Sequence, residues 1–333
     1  MPQVVVLGDV NVDVIAHYPS FPTKGQDAFA TNMEFHCGGA AANTAIALAG
    51  LGVETVLIAR LGKDPWAAIA LRFLRGSGVD LGELQRDEQI LTGAMHIVVT
   101  PDGERTILGH RGANAFTDPR EIREQAFEGA SLFYLSGYAL LTEPQRSAAL
   151  LALDIACRYG LTVVLDPGLS GSPTAVERLR SQLPRVDLLL PNLVEASELT
   201  DQCAPGDCAQ SLLAAGVGLV ALKLGREGCL ICDSTGDLLV PGFSIKAQDS
   251  TGAGDSFAAG LLAAHLSGLD WTAAGIMANA MGALTTMRVG AGGGMPTASD
   301  LLAFLLQTVP KPECSMDRDS IERVIGLVKA LNG

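Results

Sequence analysis

The stretch "QDSTGAGDSFAAGLL", residues 248–262, places two carboxylates, three hydroxyls and two glycines directly ahead of an apolar helix over Phe257–Leu266. A helix N-terminus carries unpaired N–H groups and the positive end of the peptide dipoles, so it stabilises an anion. Glycine matters there because a Cβ would keep an anion's oxygen from reaching the backbone. The stretch therefore reads as an anion hole formed by Gly252, Ala253 and Gly254, with Asp255 beside it as a base. A plainer reading is also open, in which Asp255 or Ser256 caps the helix and the glycines make a turn. The pattern of a Walker-type loop is absent.

Two further segments bear on the choice. "CGGAAANTAIALAGLG", residues 37–52, opens a second helix with Gly38 and Gly39 and carries Asn43 in its first turns. Gly50 and Gly52 close that helix as left-handed caps. A buried Asn43 needs a hydrogen-bond partner, which a sugar hydroxyl or a backbone carbonyl would supply equally well. In "LGDVNVD", Asn11 and Asp13 are two apart and share one face of an extended segment. They suit adjacent hydroxyls of a polyol, or alternatively an Asx turn.

Around these segments, strands alternate with helices. Val4–Leu7, Thr55–Ala59, Leu132–Leu135, Thr162–Leu165, Leu188–Leu190, Leu219–Leu222 and Leu230–Cys232 are apolar enough for buried strands. Helical patterns cover Ala40–Ala49, Pro65–Arg75, Glu143–Tyr159, Val194–Leu199 and Ala209–Ala214. That alternation predicts an α/β fold with a mostly parallel central sheet and helices on both faces. Val14–Phe35 and Thr92–Ala113 break it. The second contains a Pro-Asp-Gly turn between two alternating segments, a hairpin signal. Both stretches read as parts of one small β lid, or else as surface loops. Further helices are expected at Ser299–Val309 and over 317–333, the latter packing on its own domain.

Composition narrows the function. The chain has 333 residues and a net charge of −13, which argues against a nucleic-acid partner. The N-terminus lacks an export signal and no apolar run makes a good membrane span, so a soluble, cytoplasmic protein is expected. Seven cysteines at irregular spacing suggest neither a disulfide framework nor a zinc set. Cys229 and Cys232, three apart in a strand, point to opposite faces.

Taken together, the segments resemble the ribokinase-like (PfkB-type) carbohydrate kinases from about Val4 to Pro296. "DSTGAGDSFAAGLL" is similar to that family's C-terminal signature and "GGAAANTAIALAGLG" to its N-terminal one. The resemblance implies a single ribokinase-like domain over 1–333, a three-layer sandwich with the lid at approximately 14–35 and 92–113. It implies that Asp255 takes the acceptor's proton and that Gly252, Ala253 and Gly254 hold the transferring phosphate. Asn11, Asp13, Gly38, Gly39 and Asn43 would bind the sugar. "PNLVEASEL" resembles the family's N-x-x-E motif, so Asn192 and Glu195 would help hold Mg²⁺, Glu195 through water, and the phosphates. "KLGREG" resembles the nucleotide loop, putting Lys223, Gly225 and Gly228 beside ATP, and Asn279 matches a position near adenine. Asp249 and Thr251, with backbone near Ala283 and Gly290, resemble a monovalent-cation (K⁺) site, although "VGAGGGMP" departs from the commoner wording.

The implied function is transfer of the ATP γ-phosphate to a primary hydroxyl of a sugar such as ribose, fructose or a keto-sugar acid. A nucleoside kinase of the same fold is the alternative. The acceptor pocket is expected to draw on His17, Phe29, Met33, His96, Ile107 and Arg111, with Arg111 suited to a substrate carboxylate. Glu143 either reaches the sugar or sits in its helix's first turn. A catalytically inactive sugar- or nucleotide-binding regulator would have lost the base or the anion hole, and both are present. A homodimer through the lid is expected, because an exposed sheet tends to pair.

Overall fold

The computed structural model describes residues 4–168, 172–287, 294–308 and 317–332. Among these residues nine strands form the main sheet: β1 (Val4–Leu7), β4 (Thr55–Gly62), β5 (Leu84–Asp87), β8 (Leu132–Ser136), β9 (Thr162–Asp166), β10 (Leu188–Leu189), β11 (Leu219–Lys223), β12 (Gly228–Asp233) and β13 (Gly236–Pro241). Their spatial order is β13-β12-β11-β10-β9-β8-β1-β4-β5. All neighbours pair in parallel except along β11-β12-β13, where the chain folds back antiparallel at one edge.

The alternation of β1 shows why both sheet faces are covered. Val4 and Val6 belong to one hydrophobic core, Val5 and Leu7 to another. The first core is completed by α1 (Ala40–Gly50), α2 (Pro65–Ser77), α7 (Ala253–Leu266), α8 (Trp271–Thr286), α9 (Ala298–Thr308) and α10 (Arg318–Leu331). The second is completed by α3 (Gln145–Arg158), α4 (Pro173–Arg180), α5 (Leu193–Thr200) and α6 (Pro205–Ala214). The arrangement is a helix–sheet–helix sandwich. Cys229 lies in the first core and Cys232 in the second, on opposite sides of the sheet.

A separate four-stranded sheet stands on this body, in the order β3-β2-β6-β7. It comprises β2 (Asn11–His17), β3 (Asn32–Gly38), β6 (Gly93–Val99) and β7 (Arg105–His110). Its strands begin earlier than the expected 14–35, so Asn11 and Asp13 lie within the lid sheet. The chain leaves β1 through Gly8-Asp9, runs out along β2, and returns along β3 into α1.

β1 sits between β4 and β8, where the strand order reverses. Such a reversal opens a crevice beyond the carboxyl ends of the strands. Close approach is built in: a Cβ on Gly8 would lie 2.7 Å from the Cβ atoms of both Ala41 and Ser136. Among the described residues no helix is long and apolar enough to cross a membrane.

Candidate active site

The crevice is floored by the N-terminus of α7. Gly252 is its N-cap at φ 76°, a left-handed conformation that favours glycine. No side chain caps the helix, and first-turn amides such as those of Gly254 and Asp255 have no intrahelical acceptor. One expectation needs correction. The Ala253 N–H is not bare, because the left-handed Gly252 closes a turn in which that amide donates to the Ser250 carbonyl at 3.2 Å.

Asp255 opens onto the cleft but is otherwise enclosed by protein. Burial raises its pKa to about 7, with Asp166 and Asp13 adding to the rise while the Asn43 hydrogen bond and Lys223 oppose it. The Asn43 amide nitrogen donates to Asp255 Oδ2 at 2.8 Å, joining α1 to α7. Its other end, Asn43 Oδ1, is buried without a hydrogen-bond partner among the described residues. An orphaned buried acceptor beside a carboxylate fits a hydroxyl donor supplied by a ligand.

Asp13 faces the same crevice from β2. It is only 5% exposed, and burial, followed by the nearby charge of Asp249, lifts its pKa to about 7. Glycine at position 38 makes room for it, since a Cβ there would fall 2.2 Å from Asp13 Oδ1. Gly39, the N-cap of α1, has φ 96°, and a Cβ on it would meet the Asp9 carbonyl oxygen at 2.3 Å. Asn11 is oriented by Asn114, whose Nδ2 donates to Asn11 Oδ1 at 2.8 Å.

The residues expected on the nucleotide side gather near the ends of β9 and β11. Lys223 Nζ donates to Asp166 Oδ2 at 2.9 Å. Burial alone would lower the lysine's pKa, but Asp166, Glu195 and Asp255 together raise it, so the ammonium is held. A Cβ on Gly254 would lie 3.4 Å from Lys223 Nζ, which puts that cation against the first turn of α7. Asn192 caps α5 and forms a reciprocal box with Glu195, at 2.9 and 2.8 Å. Gly225 (φ 62°) and Gly228 (φ 100°) shape the turn between β11 and β12.

Several expected site residues are engaged by the protein itself. The Arg111 guanidinium donates to both oxygens of Asp9, to the Tyr138 carbonyl and to Gln145 Oε1, which ties it under the crevice. Asn279 Nδ2 donates to the Val240 and Pro241 carbonyls, securing the end of β13. Glu143 is bound to Ser147 and Arg146 on its own side of α3. Directly opposed residues share a sheet face, and the lid register pairs Met33 with Ala16 and His96 with Val14. Met33 and His96 therefore lie on the face away from Asp13, whereas His17 and Ile107 lie on its own face. Phe29 is 86% exposed.

The two cation-site oxygens are also occupied. Arg105 Nη1 contacts Asp249 Oδ1 and Thr251 Oγ1. Ala283 offers its carbonyl to Thr286 Oγ1 at 2.7 Å, and Gly290 lies outside the described residues.

Sequence reasoning missed Asp9 and Asp166. Both follow the last apolar residue of a buried strand, "VVVLGD" and "TVVLD", the position where ligands collect in such sheets. That rule, applied to every strand, would have found them.

Comparison with known proteins gives the chain its family. The family model described as pfkB family carbohydrate kinase matches residues 1–298. An ATP-dependent ribose-1-phosphate kinase of Halopiger xanaduensis is 35% identical over 92% of this chain and 98% of its own. A probable fructokinase-3 of Arabidopsis thaliana is 32% identical over 80% of this chain and 82% of its own. Among solved structures, Arabidopsis thaliana ribokinase complexed with ribose and ATP superposes with a TM-score of 0.81 at 25% identity, covering 91% of this chain and 98% of that one. Thermotoga maritima ribokinase superposes at 0.80 with 24% identity, over 92% and 100%, and speaks for the fold alone. The chain belongs to the pfkB family of carbohydrate kinases.

Proposed function

We propose that the chain transfers the γ-phosphate of ATP to a primary hydroxyl of a sugar, with Asp255 as the base. The observation that carries this is the pairing of a poised carboxylate with open helix amides: Asp255, raised to about 7, stands at the first turn of α7. A general base near neutral pKa is effective when it reaches the hydroxyl. The acceptor would lie between Asn43, Asp13 and Asp255. Asn43 Oδ1 would accept a hydroxyl hydrogen bond while Asn43 Nδ2 holds the base in place. Phosphoryl transfer asks mainly for positioning and charge stabilisation, which the amides of Gly252 and Gly254 and the Lys223 ammonium would supply.

Magnesium fits the residues around Lys223, where Asp166, Glu195 and Asp255 put three carboxylates about one ammonium. Glu195 would hold the ion through water, and when bound it neutralises phosphate charge. Among the described residues no three His, Cys, Asp or Glu side chains form a metal cluster. Magnesium at nucleotide phosphates needs only one or two carboxylates.

The acceptor class rests on the relatives, whose names include ribose-1-phosphate kinase, fructokinase and ribokinase. An ADP-release screen over ribose, ribose 1-phosphate, fructose, keto-sugar acids and nucleosides tests it. Turnover of one sugar class supports the reading; ADP release from none of them, by a folded chain that binds ATP, overturns it.

The reading includes a homodimer through the lid's outer face, where Met33 and Leu108 are 52% and 57% exposed. Light scattering should give twice the chain mass, and Leu108→Arg should halve it; a monomeric parent chain would remove the dimer.

A further inference from the structure

Arg105 opens β7, the edge strand of the lid. Its side chain leaves the lid and reaches the segment immediately ahead of α7. There Nη1 meets Asp249 Oδ1 and Thr251 Oγ1, and Nη2 donates to Ser250 Oγ at 2.8 Å. Three consecutive residues are thus gathered by one guanidinium across a separation of roughly half the chain's length. The planar fork of arginine suits such a row of oxygens, which a lysine would meet only as a point charge. The Asp249 side chain is only 9% exposed and also accepts from the Thr251 N–H and Oγ1, both at 2.8 Å. A carboxylate so enclosed requires a counter-charge.

The sequence resemblance assigns Asp249 and Thr251 to a monovalent cation, and the residues present do not fit that ion. Both side-chain oxygens already face a fixed positive charge, which would repel K⁺ from the same spot. We propose that Arg105 is a positioning residue that serves as a built-in cation. It fastens the lid to the 249–251 segment and replaces a monovalent ion there. Gly252 follows directly, so the same contact holds the start of the anion hole while the lid is down. Asp249 also lies close enough to raise the pKa of Asp13, so the segment that Arg105 holds borders the acceptor side.

The kinase reading above supplies the rate measurement, but two readouts are independent of it. At constant ionic strength the parent chain should release ADP within about twofold of the same rate in potassium, sodium or tetramethylammonium chloride. Arg105→Ala should lose about tenfold or more in tetramethylammonium and recover with added potassium or millimolar guanidinium. Arg105→Lys should recover part of the rate without any added ion. Independently of turnover, potassium should raise the melting temperature of Arg105→Ala and leave the parent unchanged, and amide exchange over residues 100–110 should speed up in the variant. A parent chain strongly activated or thermally stabilised by potassium would overturn the proposal. So would an Arg105→Ala variant indifferent to cations in both melting and exchange. If no acceptor is ever turned over, the kinase reading fails while melting and exchange still decide this one.

Discussion

Two helices in this molecule begin in nearly the same way and end up in opposite surroundings. α1 and α7 both start after a glycine of positive φ, 96° at Gly39 and 76° at Gly252, and neither has a side-chain cap. At α1 the chain itself closes the end. The Ala42 N–H approaches the Asp9 carbonyl at 3.4 Å, and the Asp9 backbone leaves no room for a Cβ on Gly39. At α7 the nearest group to a Cβ on Gly254 is a lysine ammonium, at 3.4 Å. The local motif is shared, then, and what lies opposite decides its use. A carbonyl makes α1 a packing joint that presents Asn43, while a cation and open space leave the start of α7 suited to an anion.

The most severe break in this contrast is at the base. Asp255→Asn should lower kcat by about two to four orders of magnitude while ATP binding by calorimetry stays near that of the parent. Near-normal turnover would move the chemistry away from α7. The glycines come next and should separate cleanly. Gly39→Ala combines a left-handed φ with a 2.3 Å approach to a backbone oxygen. It should cost on the order of 3 kcal/mol of folding stability in a urea titration. Gly254→Ala meets only the end of a flexible side chain, so its melting temperature should barely move. Its kcat should fall about ten- to a hundredfold, because the phosphate is displaced from the amides. If both substitutions act on stability alone, α7 is a packing joint like α1.

The gentlest test is pH. Burial raises Asp255 and Asp13 from 3.8 to about 7, and the two interact, so their titration belongs to the pair. Between those values the folded chain holds more protons than the unfolded one, so this contribution to stability is full below pH 4 and is lost as pH rises through about 7. Turnover should run the other way, rising with pH through about 7 as the base ionises. Asp13→Asn should flatten part of the stability trend, as read from urea midpoints across the range. A midpoint that falls from pH 5 to 8 as steeply in the variant as in the parent would remove these carboxylates as its source.

Much of this was legible in the sequence because the signals are short-range. Buried parallel strands are continuous apolar runs, and β1, β4, β8, β9 and β11 fall where their residues predict. A helix buried on all sides has no polar face to give it a period, which is why α8 escapes the pattern although Asn279 within it does not. The lid's two stretches stood out by composition, but the face each residue presents depends on register between strands far apart in the chain. Hence composition alone puts Met33 and His96 on the acceptor side, and the register puts them on the other.

By itself the amino-acid sequence determined the alternation of strands and helices, the two glycine-led helix starts and the identity of the groups able to do chemistry. Each depends on the properties of residues a few positions apart. Only the tertiary structure decided which polar groups are already satisfied: Arg111 by Asp9, Asn279 by β13 and Asp249 by Arg105. A hydrogen-bond donor or a charge can serve a ligand only as far as the fold leaves it open. Its partner here lies from 38 to 144 residues away along the chain, so no local pattern could name it.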